Sequence, residues 1–446
     1  MSGTFLFLCA LATAAAEPAF HVPFEKYKLA NGMRVILSRD TSVPVTAVYV
    51  VYDVGARSEE KGRTGFAHLF EHMMFEGSAN VKKSEHFKYV QSNGGEVNGS
   101  THLDYTEYYE VMPSNKLELA LWLESDRMRG LTITEENLRN QKDAVHQERL
   151  RNYDNQPYRA ALADQWLPLI FGDFHNAHST IGSPEDLNAA TVADVSDFFR
   201  TYYAPNNAVL VISGDFAAAE AKKMVDRYFA DIPSQRPPVR PNLGELPRAE
   251  GKTLMVTDER ARIPAVVIGW PAPKRHSQDW YALDMLDAVL TSGQGARLRM
   301  ELMKGRQSVL QVDENLGWPS SSPVDFKDPG YFTVILAHKP NFKGPEIVEQ
   351  YQQVIDAIAE TGIDSAEMNR ARAVRRLENA NSLQTALERA RLLGIFEVLD
   401  GDPAMIDRSY ASLLEVTAQQ VQAAAKKYLT ASRRDVMVIQ AAGVGK

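Results

Sequence analysis

A chain of 446 residues is longer than one ordinary core supports, so two domains of similar size are expected, and a 44% hydrophobic composition can fill both. The formal net charge of -8 builds no broad basic field, which disfavours nucleic acid and anionic lipid as partners. The single cysteine, Cys9, lies in the N-terminal apolar stretch, so disulfides and thiolate metal ligands are excluded from the rest of the chain.

In chain order, residues 5–16 form an apolar run that ends in Ala14, Ala15 and Ala16 just before Glu17 and Pro18. That pattern reads residues 1–16 as a secretory signal peptide and predicts export to a bacterial periplasm, although Met1 to Thr4 lack the usual positive head. The run is too short to span a bilayer, and no membrane span is expected. A strand over 46–54 then leads into a helix around His68, and residues 94–109 alternate in a way that suits a strand. Thr134, Glu135 and Glu136 open a further helix, and an amphipathic helix over 192–203 precedes a strand over 208–214.

Residues 231–252 hold Pro233, Pro237, Pro238, Pro241 and Pro247 with Gly244 and Gly251, and they show no periodicity, as a linker would. Beyond it the order of elements repeats. A strand over 265–270 leads into a helix over 281–290, and a late helix over 418–428 precedes a strand over 435–442. The parallel predicts a duplicated α+β fold: a domain over 20–232, a linker over 233–252 and a second domain over 253–446. Each domain is expected to be a mainly antiparallel sheet covered by helices on one face, with a metal site in the first only.

The metal site is read from Gly65-Phe66-Ala67-His68-Leu69-Phe70-Glu71-His72-Met73-Met74-Phe75. On a helix, His68 and His72 are four apart and His68 and Glu71 three apart, so all three side chains share one face. Two imidazoles one turn apart can grip one zinc ion, and Glu71 beside them can take a proton from water as the general base. This is the inverted zincin pattern. Two imidazoles and a carboxylate around an open position suit zinc better than manganese or cobalt, so one Zn2+ per chain is expected.

Catalytic zinc takes a third protein ligand, and the helix opened by Thr134 offers Glu148 and, two positions earlier, His146. Ala144 and Val145 imply that one side of that helix is buried. Spacing alone leaves Glu148 open as a ligand or as a solvated partner of Arg149 or Arg151.

From about residue 20 onward the chain resembles the pitrilysin and insulysin family of metallopeptidases, particularly two-domain members similar to the mitochondrial processing peptidase subunits. The resemblance rests on Gly55 to Ser58, on His68-Leu69-Phe70-Glu71-His72 with the residues from Met73 to Gly77, and on Glu148 at the family's usual distance. It rests also on Gly94-Gly95-Glu96-Val97-Asn98, Ile181-Gly182-Ser183, Tyr203-Ala204-Pro205-Asn206-Asn207 and Ser213-Gly214-Asp215. What the resemblance implies is a zinc endopeptidase acting on short or unfolded polypeptides, with Glu148 as third ligand. It also implies a peptide substrate that adds as a strand to a sheet edge near the metal, against Gly95, Val97 and Asn98. Asn98 reads equally as a turn residue after Gly94-Gly95.

Two positions depart from the family pattern. Gln141 stands where a second Glu is usual, two turns before the third ligand, and its amide can still accept an imidazole N–H. Met303 and Leu310 stand where members acting alone carry an Arg and a Tyr for the substrate carbonyl, and neither can donate a hydrogen bond. This favours a heterodimer whose sister chain lacks the zinc motif but supplies those groups, over a homodimer in which Arg297, Arg299 or Arg306 serves. A non-catalytic structural or assembly subunit of the same fold is the alternative.

Overall fold

The computed structural model describes residues 21–243, 251–320 and 322–442. The segment 1–16 and Cys9 lie outside them. Strands β1 (Glu25–Lys28), β2 (Arg34–Arg39), β3 (Val45–Tyr52), β4 (Glu96–Thr101), β5 (Thr106–Pro113) and β6 (Ala208–Gly214) form one sheet in the order β1-β2-β6-β3-β5-β4. Strands β7 (Thr253–Asp258), β8 (Ala265–Pro271), β9 (Val309–Trp318), β10 (Tyr331–His338) and β11 (Asp435–Ala441) form a second, in the order β7-β11-β8-β10-β9. Only β2 with β6 and β7 with β11 pair in parallel; the other pairs are antiparallel. With β1 set aside, the two orders match strand for strand and place the parallel pair in the same position. Two independent folds have no physical reason to share that register, whereas a duplicated one must.

In the first half, helices α1 (Phe66–Met73), α2 (Glu85–Ser92), α3 (Leu117–Arg129) and α4 (Glu135–Arg149) lie among the sheet's own helices. Phe70, Met73 and Leu121 pack with Val48, Val50, Leu210 and Ile212 on one face of the sheet. The other face is covered from the second half: Ala390, Leu393 and Phe396 of the helix Ala386–Asp400 pack on Tyr49, Val51, Val209 and Val211. The arrangement is reciprocal. Trp166, Leu167 and Ile170, from the helical stretch 159–170 of the first half, and Phe171 just after it pack on Ala265, Val267, Met437 and Ile439 of the second sheet. This is why β3 reads as an uninterrupted VTAVYVVY and not as an alternating strand: both faces are dry. Close approach demands glycine at each crossing. A Cβ on Gly394 would stand 2.5 Å from Tyr49 Cε1, and one on Gly269 would stand 2.7 Å from Trp166 Cζ2.

The strand read over 94–109 is instead the hairpin β4–β5, turned at residues 102–105. The turn has no glycine or proline and is held by tertiary contacts. Asp104 Oδ2 accepts from Arg57 Nη1 at 3.0 Å and from the backbone N–H of Lys327 at 2.6 Å, while Arg57 Nη2 donates to the Pro329 carbonyl at 2.6 Å. Between the sheets, residues 233–243 and 251–252 form neither helix nor strand. Among the described residues no helix is long and apolar enough to cross a membrane.

Candidate metal centre

Helix α1 begins at Gly65, whose φ of 85° suits glycine, and its first N–H groups are met by a buried carboxylate. Glu59 accepts from Gly65 N at 2.8 Å and from Ala67 N at 2.8 Å, placing an acid at the positive end of the helix. A second support comes from residues 182–186. Thr64 donates to Asp186 Oδ2 from Oγ1 at 2.6 Å and from its backbone N–H at 2.9 Å, and Ser183 N–H donates back to Thr64 Oγ1 at 3.0 Å. Arg149, beside Glu148, donates to the Gly182 carbonyl at 2.7 Å, so one loop ties the end of α4 to the start of α1.

Helix α4 starts at Thr134, whose side chain accepts from Asn137 N, and it runs against α1. The pairing brings His68, His72 and Glu148 together, with one ligand atom from each lying within 4.8 Å of the others. His68 Nε2 is 3.6 Å from Glu148 Oε1, and His72 Nε2 is 3.3 Å from Glu148 Oε2. Four ligands at about 2.1 Å around a tetrahedral zinc stand about 3.4 Å apart, so both the donor types and their spacing fit that ion. His146 points to solvent and takes no part in the cluster.

The electrostatics suit the same donors. Burial, aided by the neighbouring His72, pushes His68 down to about 4, so that ring is neutral at physiological pH. Burial also pulls on His72, but the bond to Glu148 and the charge of Glu71 carry it above the usual imidazole value. Bonding to His72 holds Glu148 below the usual carboxylate range. Burial raises Glu71, whose Oε2 accepts from Thr101 Oγ1 at 2.7 Å. A carboxylate shifted upward beside a candidate metal cluster takes up a proton more readily than a free one.

Gln141 lies behind His72, with Oε1 3.2 Å from Nδ1. Strand β4 is the edge of its sheet, and its last residue is Thr101, so the free edge leads to Glu71. Val97 and Asn98 lie on that edge and Gly95 just before it. Asn98 Oδ1 is engaged locally, accepting from Gly99 N at 2.9 Å. Met303 packs against the second core and Leu310 is 42% exposed at the start of β9. Thr101, Glu59 and Glu76 were not singled out from the sequence; a threonine facing a helix across a sheet edge carries no local signal.

A family model described as insulinase (peptidase family M16) matches residues 34–182, and one described as peptidase M16 inactive domain matches residues 189–375, which carry none of His68, Glu71, His72 and Glu148. The chain is 25% identical over 387 residues to zinc protease PqqE of Helicobacter pylori, covering 86% of this chain and 85% of that one. It is 26% identical over 417 residues to an uncharacterized zinc protease of Mycobacterium bovis, covering 93% of each. Its fold matches the crystal structure of a protease from Helicobacter pylori with a TM-score of 0.87 at 22% identity, over 94% of this chain and 100% of that one. With two models of one family lying side by side along it and both halves built on one strand order, the chain belongs to peptidase family M16, the pitrilysin and insulysin family.

Proposed function

We propose that the chain is a zinc-dependent endopeptidase in which His68, His72 and Glu148 hold one Zn2+ and Glu71 is the catalytic base. The observation that carries this is the convergence of the three ligand atoms within 4.8 Å, with Glu71 on the same helix turn. Zinc bound there would supply Lewis acidity toward water and the scissile carbonyl. Glu71 takes the proton of the attacking water on its carboxylate and can pass it to the leaving amine, while Thr101 keeps that carboxylate turned toward the site. The zinc-protease names of its relatives support the same reading.

The substrate is a short or unfolded polypeptide that adds to the free edge of β4 beside Gly95, Val97 and Asn98. Main-chain pairing there binds with little demand for sequence and delivers the peptide alongside Glu71. The first domain, over 20–232, carries the centre, and the second, over 253–446, completes the fold without one. Residues 1–16 direct export to the periplasm.

The chain works as the metal-bearing subunit of a heterodimer. Met303 and Leu310 cannot donate to a substrate carbonyl, and two of the arginines nearby are already engaged. Arg297 Nε donates to Glu367 Oε1 at 2.8 Å and Arg306 Nη1 to Gln353 Oε1 at 2.7 Å. Metal content and peptide cleavage by the purified chain test the proposal. Glu71→Gln should keep stoichiometric zinc and lose cleavage; full activity in that variant would show that the base is another group. Robust turnover by the chain without any partner would sink the heterodimer.

A further inference from the structure

We infer that Glu76 is a positioning residue for the metal centre, acting through the amide of Gln141 to fix which nitrogen of His72 carries the proton. The inference rests on the zinc reading for its consequence, but the device itself is visible in the metal-free chain. After α1 the backbone turns, with Phe75 N–H donating to His72 O at 3.2 Å and Glu76 N–H to Met73 O at 3.1 Å. The turn buries Glu76 to 7% exposure. Its Oε1 accepts from Gln141 Nε2 at 2.7 Å, its Oε2 lies 2.5 Å from Lys83 Nζ, and its backbone carbonyl accepts from Asn137 Nδ2 at 3.3 Å. Gln141 sits on α4, seven residues before Glu148 and so on nearly the same face, and its Oε1 meets His72 Nδ1.

The two ends of an amide are nearly the same size, so its partners decide which end faces which. A carboxylate only accepts. Glu76 therefore draws the NH2 of Gln141 toward itself and leaves the oxygen for His72. That oxygen can only accept, so Nδ1 keeps its hydrogen, and the proton given up when a metal binds is the one on Nε2, which faces Glu148 Oε2 at 3.3 Å. With the amide turned over, Nδ1 would have to accept and the proton would sit on Nε2, where a metal must bind. Lys83 supplies a counter-charge to the buried Glu76 carboxylate. The orienting charge thus stands one amide away from the ring it controls. His68 has no such device among the described residues, where its Nδ1 is buried without a hydrogen-bond partner.

The test compares wild type, Glu76→Gln, and the exchange Glu76→Gln with Gln141→Glu. In the exchange a carboxylate meets His72 Nδ1–H directly and the new amide donates to it, with composition and net charge unchanged. Zinc affinity is measured by competition with a chromophoric chelator, and the His72 tautomer by nitrogen-15 NMR of metal-free protein at a pH where the ring is neutral. Glu76→Gln should weaken zinc about tenfold, the lower end for loss of a partner behind a ligand, and should populate the Nε2–H tautomer. The exchange should restore affinity to within about twofold of wild type and return the Nδ1–H form. A Glu76→Gln variant with wild-type affinity and tautomer, or an exchange as weak as the single variant, overturns the inference. Should Glu76→Gln melt too early to measure, the exchange answers alone, because it keeps every hydrogen bond while moving the charge. A wild-type chain that binds no zinc, yet whose His72 tautomer follows residue 76 as described, would fail the zinc reading and leave this one standing.

Discussion

Arg375 Nη2 stands 2.6 Å from Asp284 Oδ1 and 2.6 Å from Asp287 Oδ2, and its Nη1 lies 2.7 Å from Glu378 Oε2. These contacts join the helices Gln278–Thr291 and Ser365–Ser382, which hold in the second half the places that α1 and α4 hold in the first. Neither of the two helices contains a histidine. Where the first half brings its candidate metal ligands between its helix pair, the second half inserts a cation that is part of the chain.

Replacing Arg375 by Met should therefore destabilise the fold by about 3–5 kcal/mol near neutral pH, because the largely buried Asp284 and Asp287 lose their counter-charge. The pH dependence has a definite sign. Burial already holds Asp284 up at about 6 against the pull of Arg375, so the folded chain binds that proton more tightly than the unfolded chain. This group's contribution to stability therefore falls as pH rises from its unfolded value toward 6. Without the guanidinium the carboxyls rise further and the loss continues to higher pH. Denaturant unfolding should show a larger deficit for Arg375→Met at about pH 8 than at about pH 5. An equal deficit at both would mean that packing, not charge, is what Arg375 provides.

Thr101→Val removes the hydroxyl that bonds Glu71. Its Oγ1 lies 2.7 Å from Glu71 Oε2 and spans from the last residue of β4 to α1. Loss of a bond to a charged group that must be correctly turned should lower kcat by roughly tenfold, about 1.4 kcal/mol. Zinc content should be unchanged, because Thr101 touches none of the proposed ligands. A variant with full kcat but weakened peptide binding would place Thr101 on the substrate side instead.

The four-residue spacing of His68 and His72 was legible because helical periodicity is local, and so was the two-sheet α+β order, because its strands and helices recur on both sides of a proline-rich stretch. The place of Glu148 was legible only through resemblance, since spacing left an ion pair with Arg149 or Arg151 as an equal reading and His146, on another face, as a competitor. Arg149 in fact turns to Gly182 and Asp164, a choice made by a loop that is distant in sequence. The crossing of Ala386–Asp400 onto the first sheet had no local signature, because Gly394 looks like any helical glycine until Tyr49 is placed against it. The turn inside 94–109 was hidden for the same reason, being made by Arg57 and Lys327 and not by its own residues. The pairing of Glu76 with Gln141 joins 65 positions in sequence, and neither residue type announces the other.

Gly182→Ala should loosen the seat of α1 without touching a proposed ligand. Gly182 has φ of 71°, and a Cβ there would run into the backbone of Thr64 and Gly65. Left-handed backbone costs alanine about 1–2 kcal/mol and the overlap adds about 1–3 kcal/mol more, so a total loss of about 2–5 kcal/mol is expected. Since the collision is with the start of α1, zinc affinity should fall along with the melting temperature. A Gly182→Ala protein that melts early yet binds zinc like wild type would show that His68 and His72 are held by α4 alone.

Removing metal should separate the two halves of the energetics. The unfolded chain has no preformed cluster of His68, His72 and Glu148, so zinc stabilises only the folded form, by about 2.7 kcal/mol when free zinc is a hundred times Kd. Denaturation with chelator and then with added zinc should recover that difference, and His68→Ala should abolish it. Zinc must also compete with protons. His72 lies above the usual imidazole value in the metal-free chain, so binding displaces its proton, and the zinc-dependent gain should shrink as pH falls through the histidine range. A gain that survives in His68→Ala, or that is the same at low and neutral pH, would place the bound ion away from these imidazoles.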